Sequence, residues 1–398
     1  MNSNTLDWIS GEQERMVSLV EKWANVNSGS THLSGLATQC DFLQSAFSSL
    51  KGKLTIVPVN PYKIIDEEGQ PTYQTLGSAL HIQKYPDAPI KIFLGGHMDT
   101  IFSKTHPFQQ TRRLSPNQLQ GPGVTDMKGG LVIMLKVLEA LERSPQAGKI
   151  GWEVLINADE EIGSPGTNSL FTQIAQRNQL GLLFEPALPD GALVTQRKGS
   201  ATVTIVAKGK SAHVGRDFFE GRNALLGLAR FALKAESLTN KNMGILVNVG
   251  KILSGGAVNQ VPDKGILRLN IRMDTPAQLE GVIDHLKKFA QEETEIHLEV
   301  FEEIKTPPKA FDGPIQTLFK GYEECAKELG IPFNTRATGG TCDGNRLYAL
   351  GLPNIDTLGA VGGNIHTSEE YIDLNSLSER AKLSTLFLLK LGAGEIQL

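Results

Sequence analysis

Residues 90–100 read IKIFLGGHMDT: an apolar strand runs into Gly95 and Gly96 and then presents His97 and Asp99 two residues apart. Side chains two apart on an extended chain share a face. An imidazole and a carboxylate held together at the C-terminal end of a strand is how a metal-binding histidine is built, the carboxylate fixing tautomer and ring orientation. Taken alone the motif is weak, because a lone strand-end histidine is more often solvated or hydrogen-bonded than a metal ligand.

Further acids stand in comparable places. The loop GPGVTDMKGG carries Asp126 directly ahead of LVIMLKVLEALE, whose apolar residues recur at helical spacing. A second apolar strand, WEVLIN, runs into Asp159, Glu160 and Glu161, and a third, LGLLFEP, ends in Glu185 and a proline. Far along the chain a Gly-rich loop in NIDTLGAVGGNIHTSEEY presents His366. Each acid has a plain reading as a helix cap or solvated loop residue. Each stands at the end of an apolar strand or in a Gly-rich loop beside one, and the carboxyl ends of strands are where ligands gather in open α/β sheets.

Composition sets the class. A chain of 398 residues with 40% hydrophobic content suits two or three domains with a sizeable core. A formal net charge of -4 gives no electrostatic case for nucleic acid or an anionic membrane, and no basic tract or aromatic platform appears. The N-terminal stretch is polar and amphipathic, with Met16, Leu19, Val20 and Trp23 on one face, unlike a signal peptide. No apolar run approaches a membrane span, so the expected location is cytoplasmic. Cys40, Cys325 and Cys342 are widely spaced and in no CxxC arrangement, which leaves His and carboxylates to hold any metal.

Up to about residue 198 strands and helices alternate: helices near 7–27 and 36–50, strands near 53–59, 74–83 and 90–96, and a helix from about 128. Such alternation predicts a mixed or parallel sheet flanked by helices. Between 199 and 309 the texture changes to ATVTIVAKGK, GILVNVGKI, GILRLNIRMD and IHLEVFEE as strands, with GRNALLGLARFALKAE and TPAQLEGVIDHLKKFAQ as helices. That order predicts a small α+β sandwich with one antiparallel sheet. After TPPKAFDG the first texture resumes, with a helix at 313–328, a strand at 353–357 and a helix at 376–391. The expected organisation is an α/β catalytic domain in two segments, 1–198 and 310–398, interrupted by an inserted domain at 199–309.

HMDT, GPGVTDMKGG, DEEIGS, SAHVGR, GGAVNQVPD and the closing His-x-x-x-Glu-Tyr appear in order along nearly the whole chain. In this the sequence resembles the co-catalytic zinc metallopeptidase and aminoacylase family, which includes bacterial glutamate carboxypeptidase, acetylornithine deacetylase, succinyl-diaminopimelate desuccinylase and aminoacylase-1. DMKGG and the stretch around His366 look closest to the glutamate carboxypeptidase branch. The resemblance implies a mixed-sheet zinc-peptidase domain with helices on both faces, a lid and dimerisation insert, and a homodimer. It implies His97, Asp126, Glu161, Glu185 and His366 as metal ligands, Asp126 bridging two ions, with His97 and Glu185 on one and Glu161 and His366 on the other. Zinc is the first choice, and cobalt or manganese also suits nitrogen and oxygen donors. Asp99 would orient His97, and the peptide after Asp126 would be cis.

By the same resemblance Glu160 is the general base that takes the proton of the attacking water and hands it to the departing amine. His213 in SAHVGR matches a histidine that reaches across the dimer to the partner's oxyanion. Asn259 and Arg272 match substrate contacts, the guanidinium suiting a carboxylate, although Arg272 also reads as an ion-pair partner on its strand. Gly340 and Thr341 in TGGTCDGN resemble a substrate-binding turn whose N–H groups hold a carboxylate, with a plain helix N-terminus as the alternative.

The function these features imply is hydrolysis of an amide bond to a carboxylate-bearing amino acid. Carboxypeptidase and N-acyl-amino-acid deacylase both stay open. Glu185 stands where the glutamate carboxypeptidase branch has Asp, and the residues before His366 lack that branch's aromatic character. A carbamoyl amidohydrolase acting on ureido compounds shares the metal framework. A catalytically silent amino-acid or peptide binder would lack a ligand or the base, and none is missing here. An aminopeptidase fits poorly with Arg272 aimed at a carboxylate.

Overall fold

The computed structural model of the protein describes residues 2–397. Its larger sheet runs Lys53–Val57, Ala79–Lys84, Ile150–Asn157, Ile90–His97, Leu180–Leu183, Asn354–Ile355 in spatial order. Ile90–His97 pairs parallel with both Ile150–Asn157 and Leu180–Leu183, and Asn354–Ile355 adds parallel at the edge. Ala79–Lys84 and Lys53–Val57 join antiparallel on the other side, which makes the sheet mixed. Ile150–Asn157 is buried along its whole length, as a strand covered on both faces must be.

Alternation along these strands feeds two layers. Ile92, Leu94, Val154, Ile156 and Leu182 pack into a core shared with Gly129–Glu142, Gly313–Leu329 and Asn375–Ala393. Phe93, Leu155 and Leu183 point the other way, onto Phe171 and Ile174 of Asn168–Arg177 and Leu347 of Asp343–Ala349. Gly129–Glu142 is buried almost all round, including Lys136, whose ammonium is met by Glu12 at 2.7 Å and Glu139 at 2.6 Å. The protein is therefore of the mixed α/β class, with helices on both faces of the sheet.

A separate antiparallel sheet, Leu246–Ser254, Lys264–Met273, Gly199–Lys208, His297–Thr306 in spatial order, has its own core. Two helices, Ala224–Glu236 and Pro276–Glu292, cover one face of it. Thr275 caps the second through Gln278 in a reciprocal capping box, with Pro276 beginning the first turn. The chain enters and leaves this unit through a two-way backbone bridge, Arg197 N–H to Lys309 O at 3.0 Å and Lys309 N–H to Arg197 O at 2.9 Å. Both side chains converge on buried Asp356, Arg197 Nη2 at 3.0 Å and Lys309 Nζ at 2.7 Å.

Several boundaries differ from the sequence expectation. The helix expected at 7–27 is two, Asn2–Gly11 and Gln13–Ala24, parted at Glu12, whose φ of -92° and ψ of 0° leave the helical range after Gly11. The helix expected at 36–50 is Leu33–Phe47 followed by a tighter turn at Ser48–Leu50. The strand expected at 53–59 stops at Val57, since Pro58 has no N–H to continue the ladder. The strand expected at 74–83 is Ala79–Lys84, because Pro71–Gln74 turns back onto Tyr62–Ile65 as a separate hairpin. The strand expected at 353–357 shrinks to Asn354–Ile355. No described helix is long and apolar enough to cross a membrane.

Candidate active site

The parallel strands deliver the functional side chains at their C-terminal ends. Ile90–His97 ends in His97, Ile150–Asn157 leads into Glu160 and Glu161, and Leu180–Leu183 leads through Phe184 to Glu185. Asp126 lies in the turn preceding Gly129–Glu142, where Asp126 and Met127 leave helical φ and ψ and the peptide between them is cis. His366 is brought in by a small antiparallel sheet. Gly362–Gly363 pairs with Tyr371–Asp373, which pairs with Gln118–Gln120 immediately before the Asp126 loop. His366 has φ 64° and Asn364 φ 54°, left-handed conformations that a non-glycine residue adopts at a cost and that the surrounding contacts must enforce.

Asp126 stands between the two histidines. Its Oδ1 lies 3.2 Å from His97 Nε2 and its Oδ2 3.2 Å from His366 Nε2. Glu185 Oε2 is 3.7 Å from His97 Nε2, and Glu161 Oε2 is 3.2 Å from His366 Nε2. The five residues thus form two groups of N and O donors that share Asp126. Donor atoms of His97, Asp126 and Glu161 all lie within 4.8 Å of one another.

Asp99 does more than orient a ring. His97 Nδ1 is nearest the Asp99 backbone oxygen, at 2.9 Å, with the carboxylate at 3.3 Å. The same carboxylate accepts from Ser30 Oγ at 2.7 Å and from the N–H groups of Glu160 at 3.2 Å and Glu161 at 3.1 Å. It ties the His97 strand to the loop that carries Glu160.

The electrostatics follow from burial and crowding. Burial, with the charge of Glu185, pushes the Glu160 carboxyl well above the ordinary range, and burial with Asp126 takes Glu161 up to about 7. Asp126 is held well below the usual carboxylate range because the two imidazoles outweigh its burial. Asp126 and Glu161 raise His366 to about 10. For His97 burial works downward but is outweighed by Glu185, Asp126 and Asp99. Buried carboxylates this crowded, facing two imidazoles, carry an excess of negative charge that divalent cations neutralise. The donor set fits zinc, cobalt or manganese.

Glu370 had no role assigned from the sequence, although it closes the His-x-x-x-Glu-Tyr pattern. It is buried and accepts from the N–H groups of Gly123 at 2.9 Å, Thr125 at 2.9 Å and Asp126 at 3.0 Å. Burial raises its carboxyl to about 7 despite those bonds. It fixes the loop that aims Asp126.

A cleft of about 600 Å³ is lined by Glu160, Glu161 and His366 of this cluster together with Arg272, Gly340 and Thr341. Arg272 has neutral partners, Asn270 Oδ1 at 2.9 Å and Gly339 O and Thr341 Oγ1 at 3.4 Å, so it is no ion-pair partner on its strand. The Gly340 N–H turns toward Thr338 Oγ1 at 3.4 Å. The turn runs directly into Asp343–Ala349, capped by Cys342. His213 and Asn259 do not line this cleft. Both are exposed on the inserted unit, joined by Val214 N–H to Asn259 O at 3.0 Å, with Val258 next to Asn259 and Phe219 six residues after His213 almost wholly in solvent.

The fold and this donor cluster define a metal-dependent hydrolase of the α/β class. Comparison with known proteins agrees: residues 93–390 match the model of the peptidase family M20/M25/M40. The chain belongs to this peptidase family, whose members hydrolyse amide bonds with the help of metal ions. It is 25% identical over 392 residues to carboxypeptidase G2 of Pseudomonas sp. (strain RS-16), covering 96% of this chain and 91% of that one. It is 26% identical over 326 residues to succinyl-diaminopimelate desuccinylase 2 of Shewanella loihica, covering 76% and 85%. A di-peptidase from Saccharomyces cerevisiae superposes with a TM-score of 0.77 at 14% identity, over 99% of both chains. A metallo-carboxypeptidase from Sulfolobus solfataricus superposes with 0.74 at 17% identity, over 94% and 98%.

Proposed function

We propose that the protein is a two-metal amidohydrolase that releases an amino acid with a free carboxylate from a peptide or an N-acyl group. The observation that carries this reading is Asp126, whose two oxygens each face a different histidine at 3.2 Å. His97, Asp126 and Glu185 would hold one zinc, and Asp126, Glu161 and His366 the other. When bound, the ions supply Lewis-acid polarisation of the scissile carbonyl and acidify the attacking water. Arg272 and the turn at Gly340 and Thr341 receive the substrate carboxylate and so set the amide over the carboxylates. Glu160 removes the proton from water at its carboxylate and then delivers it to the departing nitrogen, so amine and acid leave without a free proton crossing solvent.

The exposed position of His213 and Asn259 favours their use in a second copy of the chain. In this reading residues 199–309 form a lid and dimerisation unit, and His213 donates to the oxyanion forming in the partner's cleft. Three buried free cysteines suit the reducing cytoplasm.

The test is release of free amine from N-acetyl, N-succinyl, N-carbamoyl and dipeptide substrates by wild type and Glu160→Gln. Turnover of acyl or peptide substrates, lowered at least about 100-fold in the variant, supports the reading. Ammonia release from N-carbamoyl compounds alone would replace it with a ureido hydrolase, and equal rates in the two proteins would remove Glu160 as base.

A further inference from the structure

The strand Lys264–Met273 offers the cleft more positive charge than one substrate carboxylate requires. Its alternate residues Leu267, Leu269, Ile271 and Met273 pack into the core of the inserted unit. Arg268, Asn270 and Arg272 therefore face the other way, and all three line the cleft. Arg272 meets neutral partners only. Arg268 does likewise: its Nη2 donates to Ile65 O at 2.6 Å, and its Nε is buried with no partner. Among the described residues neither guanidinium has a carboxylate within 4.0 Å. Glu303 lines the same cleft, but its Oε1 accepts the Ile65 N–H at 2.8 Å and stays beyond ion-pair reach of Arg268.

A guanidinium withdrawn from water without an anion is costly, and burial alone already lowers the pKa of Arg272. Arg268 and Arg272, both half-buried on one strand face, have backbone positions about 13 Å apart, within the span of one extended substrate once both side chains lean inward. We propose that Arg268 recognises a second anionic group on the substrate, beyond the carboxylate received by Arg272. This inference rests on the amidohydrolase reading above and narrows it to dianionic acyl amino acids or peptides. The second anion comes either from the acyl group or from the amino-acid side chain.

The experiment uses full-length zinc-loaded enzyme and two matched substrate pairs. N-succinyl-alanine against N-butyryl-alanine places the extra carboxylate on the acyl side, and N-acetyl-glutamate against N-acetyl-glutamine places it on the amino-acid side. Wild type should prefer the acidic member of one pair by about 10- to 100-fold in kcat/KM, the worth of a charge-assisted contact. Arg268→Gln should collapse that ratio, mainly through KM, and Arg268→Lys should restore part of it. The pair that responds identifies the source of the anion. No preference in either pair, or a variant that slows both members while keeping their ratio, overturns the proposal and leaves Arg268 as a tether of the hairpin at Ile65. If none of the four compounds is cleaved and the dipeptides also release no amine, the amidohydrolase reading fails. Calorimetric binding of the same pairs to wild type and Arg268→Gln then decides Arg268 on the same ratio.

Discussion

Replacing Asp356 by Asn should destabilise the protein far more than a one-atom change suggests. Asp356 is fully buried where the chain crosses into the inserted unit, with Arg197 and Lys309 on its two oxygens and both of those side chains buried as well. Burial works against its ionised form, yet the two cations hold its carboxyl at about 2, against 3.8 for an unperturbed aspartate. At about 1.4 kcal/mol per tenfold change in acidity, the carboxylate gains on the order of 2 to 3 kcal/mol from its folded surroundings. Because the folded value is the lower one, that stability is present above about pH 4 and is lost as pH falls toward 2. Asn removes the negative charge and strands two buried cations, for which a loss of about 3 to 5 kcal/mol is expected. Urea unfolding of wild type and Asp356→Asn at pH 8, 7, 6 and 5 measures it. The difference should be of that size and constant across the series. A loss below about 1 kcal/mol, or a difference that fades between pH 7 and 5, would refute the cluster's assigned role.

Two other outcomes follow from the site. Glu370→Ala leaves three N–H groups around Asp126 without their acceptor, so zinc affinity measured by competition with a chelator should fall about 10- to 100-fold, with Glu370→Gln between; unchanged affinity would deny it a positioning role. His213→Ala should cut kcat while leaving zinc content unchanged, and mixing it with the inactive Glu160→Gln should recover activity in heterodimers. Normal turnover in His213→Ala removes that histidine from the reaction.

Much of the donor set was legible because each member ends an apolar strand or sits in a Gly-rich loop, a local pattern that survives without tertiary knowledge. The pairing of those members was not. His366 reaches Asp126 through the register of Tyr371 with Gln120, a contact between residues 251 apart in the chain. The alternation in RLNIR at 268–272 was visible, but only the cores on either side reveal which face meets the cleft. The hairpin of Tyr62–Ile65 with Pro71–Gln74 falls almost wholly between the strands expected at 53–59 and 74–83, because nothing local distinguishes so short a hairpin from a loop. Glu370 illustrates the same limit, since a buried carboxylate bound to backbone N–H groups looks in sequence like any loop acid.

The most direct test of the account is the metal content of carefully prepared wild type and Asp126→Asn by elemental analysis. A bridging Asp126 predicts about two zinc ions per wild-type chain and a loss of both in the variant, because each ion shares that carboxylate. One ion per wild-type chain, or a variant that keeps two, would contradict the shared site on which the function rests.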